Sequence, residues 1–187
     1  MKAKHSDSLI IVWRIAQFEA KQLRASAIEP VHLFIALCKI VDVDLPELIS
    51  KNMPDRNEIL EESLRETRRI RTIFRVADVN AKILRRNLRR IFVREQSDAR
   101  NPKPIRRSSA SKDVFGEAEH FAEATNEKVY PVHLLYALML SADKDRDTEL
   151  AEMGISKKRL LNVAKRDVFT FRMQELSASK AARARLN

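Results

Sequence analysis

Residues 28–38, IEPVHLFIALC, return as residues 129–139, VYPVHLLYALM. Six of the eleven positions are identical, and the offset between the two stretches is 101 residues. A repeat of this size within 187 residues indicates that one supersecondary unit occurs twice. The repeat therefore has to be explained by the fold before any residue in it is assigned a chemical role.

The similarity extends in both directions from this stretch. Upstream, five positions recur at an offset of 102: Ser6, Leu9, Val12, Ala16 and Ala20 match Ser108, Ser111, Val114, Ala118 and Ala122. Downstream, Leu48-(x)4-Met53 resembles Leu150-(x)4-Ile155 at the same offset. Each half is predicted to be a four-helix unit of roughly fifty residues.

The composition favours an all-α fold. Hydrophobic residues make up 44% of the chain, enough for a buried core. Two glycines and six prolines supply little of the turn chemistry that β-hairpins need. We predict helices near residues 6–25, 30–41, 44–52, 56–74, 76–94, 108–125, 131–141, 147–153 and 156–176.

Local signals fix several of these helix starts. Ser6, Ser108 and Ser156 stand where an N-cap is expected. Pro30 and Pro131 occupy the first helical position, where a missing N–H costs nothing. The segment Asn101–Pro104 cannot continue a helix and marks a linker between the halves.

The repeated pattern resembles a known family. A helix with Ala-(x)3-Ala, a short turn, and a His-Leu-(x)2-Ala-Leu helix, all duplicated, is similar to the double Clp N-terminal repeat of the Hsp100 AAA+ unfoldases of the ClpA, ClpB and ClpC type. The resemblance covers residues 6–60 and 108–162. It implies a pseudo-twofold domain of about eight helices that binds substrate proteins or adaptors and performs no chemistry itself.

The chain departs from the family pattern in three ways. Pro30 and Pro131 replace a Thr-like residue two positions before each motif histidine, which removes a hydroxyl cap. Val31 and Val132 stand where ClpC-type domains commonly have a Glu that helps to bind phosphoarginine, so this ligand is not predicted. The spacing between the motif histidines is also about 25 residues longer than the family implies. We therefore expect a single domain with repeat one at about 6–64, a basic insertion and Pro linker at 65–107, repeat two at 108–165, and a C-terminal helix or tail at 166–187.

The repeated histidines are predicted to be structural. An imidazole near a helix start can bond a neighbouring backbone group while its ring packs in the core. The structural positions of the repeat motif are Pro30, His32, Leu33, Pro131, His133 and Leu134. Two histidines 101 residues apart, without matched carboxylates or cysteines, do not predict a metal site.

Catalytic motifs are not recognisable in the sequence. Cys38 lies in an apolar run and is interpreted as a small buried hydrophobe. The sequence has no Gly-(x)4-Gly-Lys phosphate loop. We predict a non-enzymatic protein with no cofactor and no metal.

Almost all of the net charge comes from one segment. Residues 65–107 hold fifteen Lys and Arg against four acidic residues, whereas the other parts of the chain, with 21 basic and 22 acidic residues, are nearly neutral. On a helix, one arc of the segment is basic, and Val76, Val79, Ile83 and Leu84 lie on the opposite arc. The candidate partner-binding residues on the basic arc are Lys82, Arg85, Arg86, Arg89 and Arg90.

The five residues of the basic arc form a basic stripe, and three interpretations of this stripe remain open from the sequence. It can be a solvated face, a docking surface for an acidic adaptor or substrate, or a surface for nucleic acid or an anionic membrane. No stretch is long and apolar enough to predict a membrane span, so the cytoplasm is the expected compartment. The function we expect is recruitment of substrate polypeptides or adaptor proteins to a Clp or Hsp100 machine, with AAA+ ATPase modules in cis or in trans. The alternative is an Arg-rich helical protein that binds nucleic acid or another polyanion.

Overall fold

The computed structural model describes residues 3–50, 53–94 and 105–184. Within these ranges the chain forms nine helices and two short strands: α1 Asp7–Gln22, β1 Ala27–Ile28, α2 Pro30–Ile40, α3 Leu45–Leu48, α4 Arg56–Val76, α5 Ala81–Arg94, β2 Arg106–Arg107, α6 Ser109–Thr125, α7 Pro131–Leu140, α8 Lys144–Glu152 and α9 Lys157–Ala184. The predicted all-α fold is confirmed. The predicted linker Asn101–Pro104 lies outside the described residues.

The predicted helix starts are also confirmed. Ser6 Oγ accepts a hydrogen bond of 3.2 Å from the N–H of Leu9. Ser108 Oγ accepts an equivalent bond of 3.1 Å from the N–H of Ser111. α2 and α7 both begin with proline. The same local chemistry thus starts the same helices in both halves.

The core is centred on α2 and α7. Nearly every residue of both helices is buried, which explains why neither helix has a polar face in the sequence. α1 packs against α2, α6 packs against α7, and the two central helices contact each other. Residues that recur in the sequence therefore recur in the core.

The two halves exchange short strands. Ile28 pairs in parallel with Arg107, and the equivalent Val129 pairs in parallel with His5. The N–H of Ser108 donates to the carbonyl of Ile28 at 3.1 Å, and the N–H of Ser6 donates to the carbonyl of Val129 at 3.1 Å. Each half thus contributes one strand segment that pairs with the other half. The two pairings are equivalent, so a pseudo-twofold axis relates the halves.

The expected match between Leu48-(x)4-Met53 and Leu150-(x)4-Ile155 is not what the structure shows. The N–H of Ile155 donates to the carbonyl of Leu150 at 2.7 Å, and Gly154 between them has φ of 71°. This is the six-to-one bond that closes a helix C-terminus with a left-handed residue. The counterpart in the first half lies at the end of α4, where Val79 donates to Phe74 at 2.8 Å across Asp78 with φ of 57°.

The alignment of the α4 end with the α8 end changes which residues of the first half have no equivalent in the second half. The offset between equivalent residues falls from 101 at the histidines to 76 at these two turns, so the 25 additional residues lie between α2 and the end of α4. α5 packs on α2 as α9 packs on α7. The Arg-rich helix is therefore the counterpart of the first turns of α9, and we place the extra segment at α3 and most of α4.

The two glycines are expected to respond to alanine in opposite directions. Gly154→Ala should lower the free energy of unfolding by about 1 kcal/mol, because its left-handed φ is strained for a residue with a Cβ. No atom lies within 4 Å of an added Cβ at either glycine, so the effects are conformational. Gly116→Ala, within α6, should raise the same quantity by about 0.5–1 kcal/mol. Urea denaturation of both variants measures these changes, and a shared sign would contradict the assignment.

Candidate functional site

An apolar cavity lies between α1 and α6, where the pseudo-twofold axis passes. Its volume is about 170 Å³. Two of its lining pairs are equivalent in the repeat at an offset of 102: Trp13 with Phe115, and His5 with Arg107. The cavity is therefore built jointly by the two halves and is absent from either half alone.

Aromatic rings form one wall of this cavity. The rings of Trp13 and Phe115 pack edge to face with centroids 5.8 Å apart. The guanidinium of Arg107 lies 4.9 Å from the Phe115 centroid and 5.5 Å from that of Trp13. A cation at this distance from two ring faces is held by their quadrupoles. Arg107 thus places a positive charge at the edge of an apolar surface.

Two aliphatic side chains of α1, Leu9 and Ile10, also line the cavity. Leu9 is buried, whereas Ile10 is 40% exposed. A cavity of about 150 Å³ accommodates a benzene ring, so this one has room for a single leucine or phenylalanine side chain. The site can bind an apolar side chain, with an adjacent cation for a carboxylate or backbone carbonyl.

The predicted basic stripe on α5 divides into two groups. Lys82, Arg86 and Arg90 are exposed, whereas Arg85 and Arg89 are partly buried. Arg89 Nε lies 3.3 Å from Glu19 Oε2. The opposite arc is not wholly buried either, since Ile83 is 47% exposed. The structure thus presents three of the five predicted cations to solvent.

Glu19 is the partner that Arg89 contacts. Its side chain is fully buried, and Lys39 Nζ donates to Glu19 Oε1 at 2.8 Å. A buried carboxylate needs charged or hydrogen-bonding partners. Lys39 from α2 and Arg89 from α5 supply the two cations, and the arrangement joins three helices. We therefore assign Arg89 a structural contact in addition to its place in the stripe.

The repeated histidines both accept a backbone hydrogen bond at a helix start. The N–H of Glu29 donates to His32 Nδ1 at 2.9 Å, and the N–H of Tyr130 donates to His133 Nδ1 at 3.0 Å. Both rings are fully buried. Burial lowers the pKa of His32 to about 4 against smaller raising effects of Glu19 and Glu29. His32 is therefore a neutral cap of its helix, and His133 makes the equivalent backbone contact.

Other reactive side chains are placed away from the cavity. Cys38 is fully buried, as predicted, and burial raises the pKa of its thiol. Among the described residues, no group of three or more His, Cys, Asp or Glu side chains could hold a metal ion. No helix in the described ranges has the length and hydropathy needed to cross a membrane.

Sequence reasoning missed the α1–α6 cavity. Trp13 and Phe115 each have the pattern of ordinary core residues in their own helix. Their offset of 102 was nevertheless a usable signal, because equivalent residues near a pseudo-twofold axis face each other. The missing information was which face of α1 meets α6.

Comparison with solved structures identifies similar folds. The N-terminal domain of Hsp104 from Candida albicans is 21% identical, with a TM-score of 0.62 over 86% of this chain and 89% of that chain. A structure from a malarial protein secretion system is 20% identical, with a TM-score of 0.61 over 88% and 95%. The N-terminal domain of the caseinolytic protease associated chaperone ClpD from Arabidopsis thaliana is 18% identical, with a TM-score of 0.54 over 86% and 94%.

These similarities establish the fold of the chain. It has the fold of the Clp and Hsp104 N-terminal domains over most of its length, which confirms the structural resemblance inferred from the duplicated motif. No protein-family model and no curated protein sequence matches the chain.

Proposed function

We propose that this chain is a non-enzymatic protein-binding module that recruits substrate polypeptides or adaptor proteins to a Clp or Hsp100 chaperone machine. Its AAA+ ATPase partners act in cis or in trans. The α1–α6 cavity is the contact site for an apolar side chain of the bound polypeptide. The observation that carries the proposal is an apolar, aromatic-walled cavity on the surface of a chaperone-type fold.

The chemistry of the cavity suits polypeptides rather than one small molecule. Its volume fits a single side chain, so the remainder of a ligand would lie outside it. Arg107 offers charge-assisted contacts to a carboxylate or carbonyl beside the apolar group. Segments that combine an apolar and an acidic residue are therefore the expected ligands.

Ile10→Glu is expected to weaken binding of an unfolded polypeptide by at least about tenfold. The substitution removes apolar surface worth roughly 1.5–3 kcal/mol when buried and places a charge at the cavity. Trp13 is the sole tryptophan of the chain and lines the cavity, so its fluorescence reports occupancy directly. Titration with a reduced, carboxymethylated unfolded protein gives the affinity.

Ile83→Glu is the matched control. It is the same exchange at similar exposure, but its position on α5 does not line the cavity. The control should retain the wild-type affinity and the wild-type change in Trp13 fluorescence. Equal weakening by both variants would contradict the assignment of the cavity.

Titration with DNA beside the unfolded polypeptide distinguishes the protein-binding function from the alternative, binding of nucleic acid or another polyanion. This alternative draws on the exposure of Lys82, Arg86 and Arg90 along one face of α5. If the wild-type chain binds DNA at physiological salt, fails to bind unfolded polypeptide, and loses DNA binding when these three residues are replaced with Glu, the nucleic-acid alternative is correct and the protein-binding proposal is wrong.

A further inference from the structure

A second cleft lies at the C-terminal end of α2, the helix whose N-terminal turn holds His32. It has a volume of about 530 Å³ and is bounded by the loop after α2, the end of α4 and the beginning of α5. Phe74 and Val79 form its apolar base, and three cationic side chains line it: Arg71, Arg75 and Lys82. None of these residues lines the α1–α6 cavity.

The pseudo-twofold relation shows what is unusual about this cleft. At the equivalent place in the second half, Lys157 Nζ donates to the carbonyl of Ser141 at 3.1 Å and to Asp147 Oδ2 at 2.6 Å. At the offset of 76, Lys157 corresponds to Ala81 in the first half, and Asp147 corresponds to Arg71. The second half thus fills this place with its own ion pair, whereas the first half has a small side chain and a cation.

The charges around the cleft do not cancel. Its acidic residues are Asp42 and Asp78, and Asp78 forms an ion pair with Arg159. Four cations, with Arg159 included, therefore surround two carboxylates. Arg71 Nη2 donates to the carbonyl of Val41 at 2.6 Å, which uses one of the five N–H groups of its guanidinium. Arg75 and Lys82 are exposed.

We propose that this cleft binds a phosphate monoester. A net charge of about +2 matches a phosphate dianion better than a carboxylate, and arginine presents paired donors to phosphate oxygens. The volume exceeds that of a phosphate alone, and the Phe74 and Val79 base suits an apolar or aromatic group carried by it. This inference does not rest on the proposed protein-binding function, because the two sites share no residue.

The test uses phenyl phosphate and inorganic phosphate as separate probes at constant ionic strength. Backbone amide shifts in a two-dimensional NMR titration should saturate and cluster at residues 41–42 and 71–82. Phenyl phosphate should bind more tightly than inorganic phosphate, which separates a site for a substituted phosphate from one for the free ion. Phenylacetate, with a monoanionic carboxylate, should bind more weakly than both.

Two pairs of variants identify the groups responsible. Arg75→Gln and Lys82→Gln should each weaken phenyl phosphate binding about tenfold, because each removes a charged hydrogen-bond donor to the phosphate. Arg68→Gln and Arg86→Gln, exposed on the same two helices but outside the cleft, should leave the affinity unchanged. All four sites are exposed, so the folded spectrum should persist.

Either of two results would overturn the proposal. One is the absence of saturable shifts with both phosphate probes. The other is equal weakening by all four variants, which would mean that a diffuse positive field attracts the anion and that the cleft is not a site.

Discussion

Replacement of Arg69 with methionine is expected to lower the free energy of unfolding by about 3–5 kcal/mol, because it removes the nearest cation of the buried Glu66 carboxylate and leaves only Arg65, whose Nε lies 3.7 Å away. Arg69 Nη1 donates to Glu66 Oε1 at 3.0 Å, and Arg69 Nε donates to Asp167 Oδ2 at 2.8 Å. Arg69 and Glu66 are both buried. The network joins α4 to α9, and Arg69→Met removes its central member.

The loss should depend on pH in a defined direction. Burial raises the pKa of Glu66, although the charge of Arg69 lowers it in part. In Arg69→Met only the weaker lowering by Arg65 remains, so the pKa of Glu66 in the folded state rises further above its value in the unfolded chain. The folded variant is therefore penalised more as pH rises above the ordinary glutamate value, and its deficit in stability relative to wild type should shrink as pH falls from 7 towards 5.

Urea denaturation of Arg69→Met at several pH values measures both effects. Arg68→Met is the matched control: Arg68 is exposed on the same helix, so its replacement should change stability by less than about 0.5 kcal/mol. The double variant Glu66→Gln with Arg69→Met should regain part of the loss, since no buried charge is then left unpaired. A loss below about 1 kcal/mol in Arg69→Met alone would show that the network contributes little.

The behaviour of Arg69 illustrates what the sequence could not predict. In the sequence Arg69 is one of fifteen cations of a basic segment, and helical spacing alone allows a pair with Glu66 at i,i−3. The second partner, Asp167, lies 98 residues further along the chain. Only the packing of α4 on α9 shows that this cation stabilises the fold and does not contribute to an exposed face.

The helices, by contrast, were predictable because their signals are local. Ser6 and Ser108 cap helices within three residues of themselves, and Pro30 and Pro131 start helices at their own positions. The placement of the extra residues was harder. A pattern of two apolar residues spaced by five recurs by chance, and only the left-handed Asp78 and Gly154 distinguish the true match.

The two candidate sites could be predicted from the sequence only in part. The α1–α6 cavity depends on Trp13 and Phe115, whose equivalence is visible in the repeat, but a cavity forms only where two helices fail to close fully. The cationic cleft depends on the exchange of Lys157 for Ala81 between the halves. Once the correct offset of 76 is known, that exchange can be read from the sequence, so the structural alignment supplies the missing step.

Acidification from pH 7 to pH 5 is expected to cost the wild-type chain about 2 kcal/mol of stability through His32 alone. Burial lowers the pKa of this imidazole to about 4 from its ordinary value of 6.5. The unfolded chain therefore takes up a proton as pH falls below 6.5, while the folded chain does so only near 4. The stability contributed by neutral His32 is present above pH 6.5 and is lost as pH falls through this window.

His32→Asn should remove this part of the pH dependence. Asparagine does not titrate, and its side-chain oxygen can accept the Glu29 N–H bond that His32 Nδ1 accepts at 2.9 Å. We expect the variant to be less stable than wild type at pH 7, because it fills the buried site less well, and to show a shallower loss of stability between pH 7 and pH 5. His120→Asn, at an exposed position on α6, is the matched control and should keep the wild-type slope. If His32→Asn retains that slope in urea denaturation, the neutral buried cap is not the source of the acid sensitivity. The repeated histidine would then contribute packing alone.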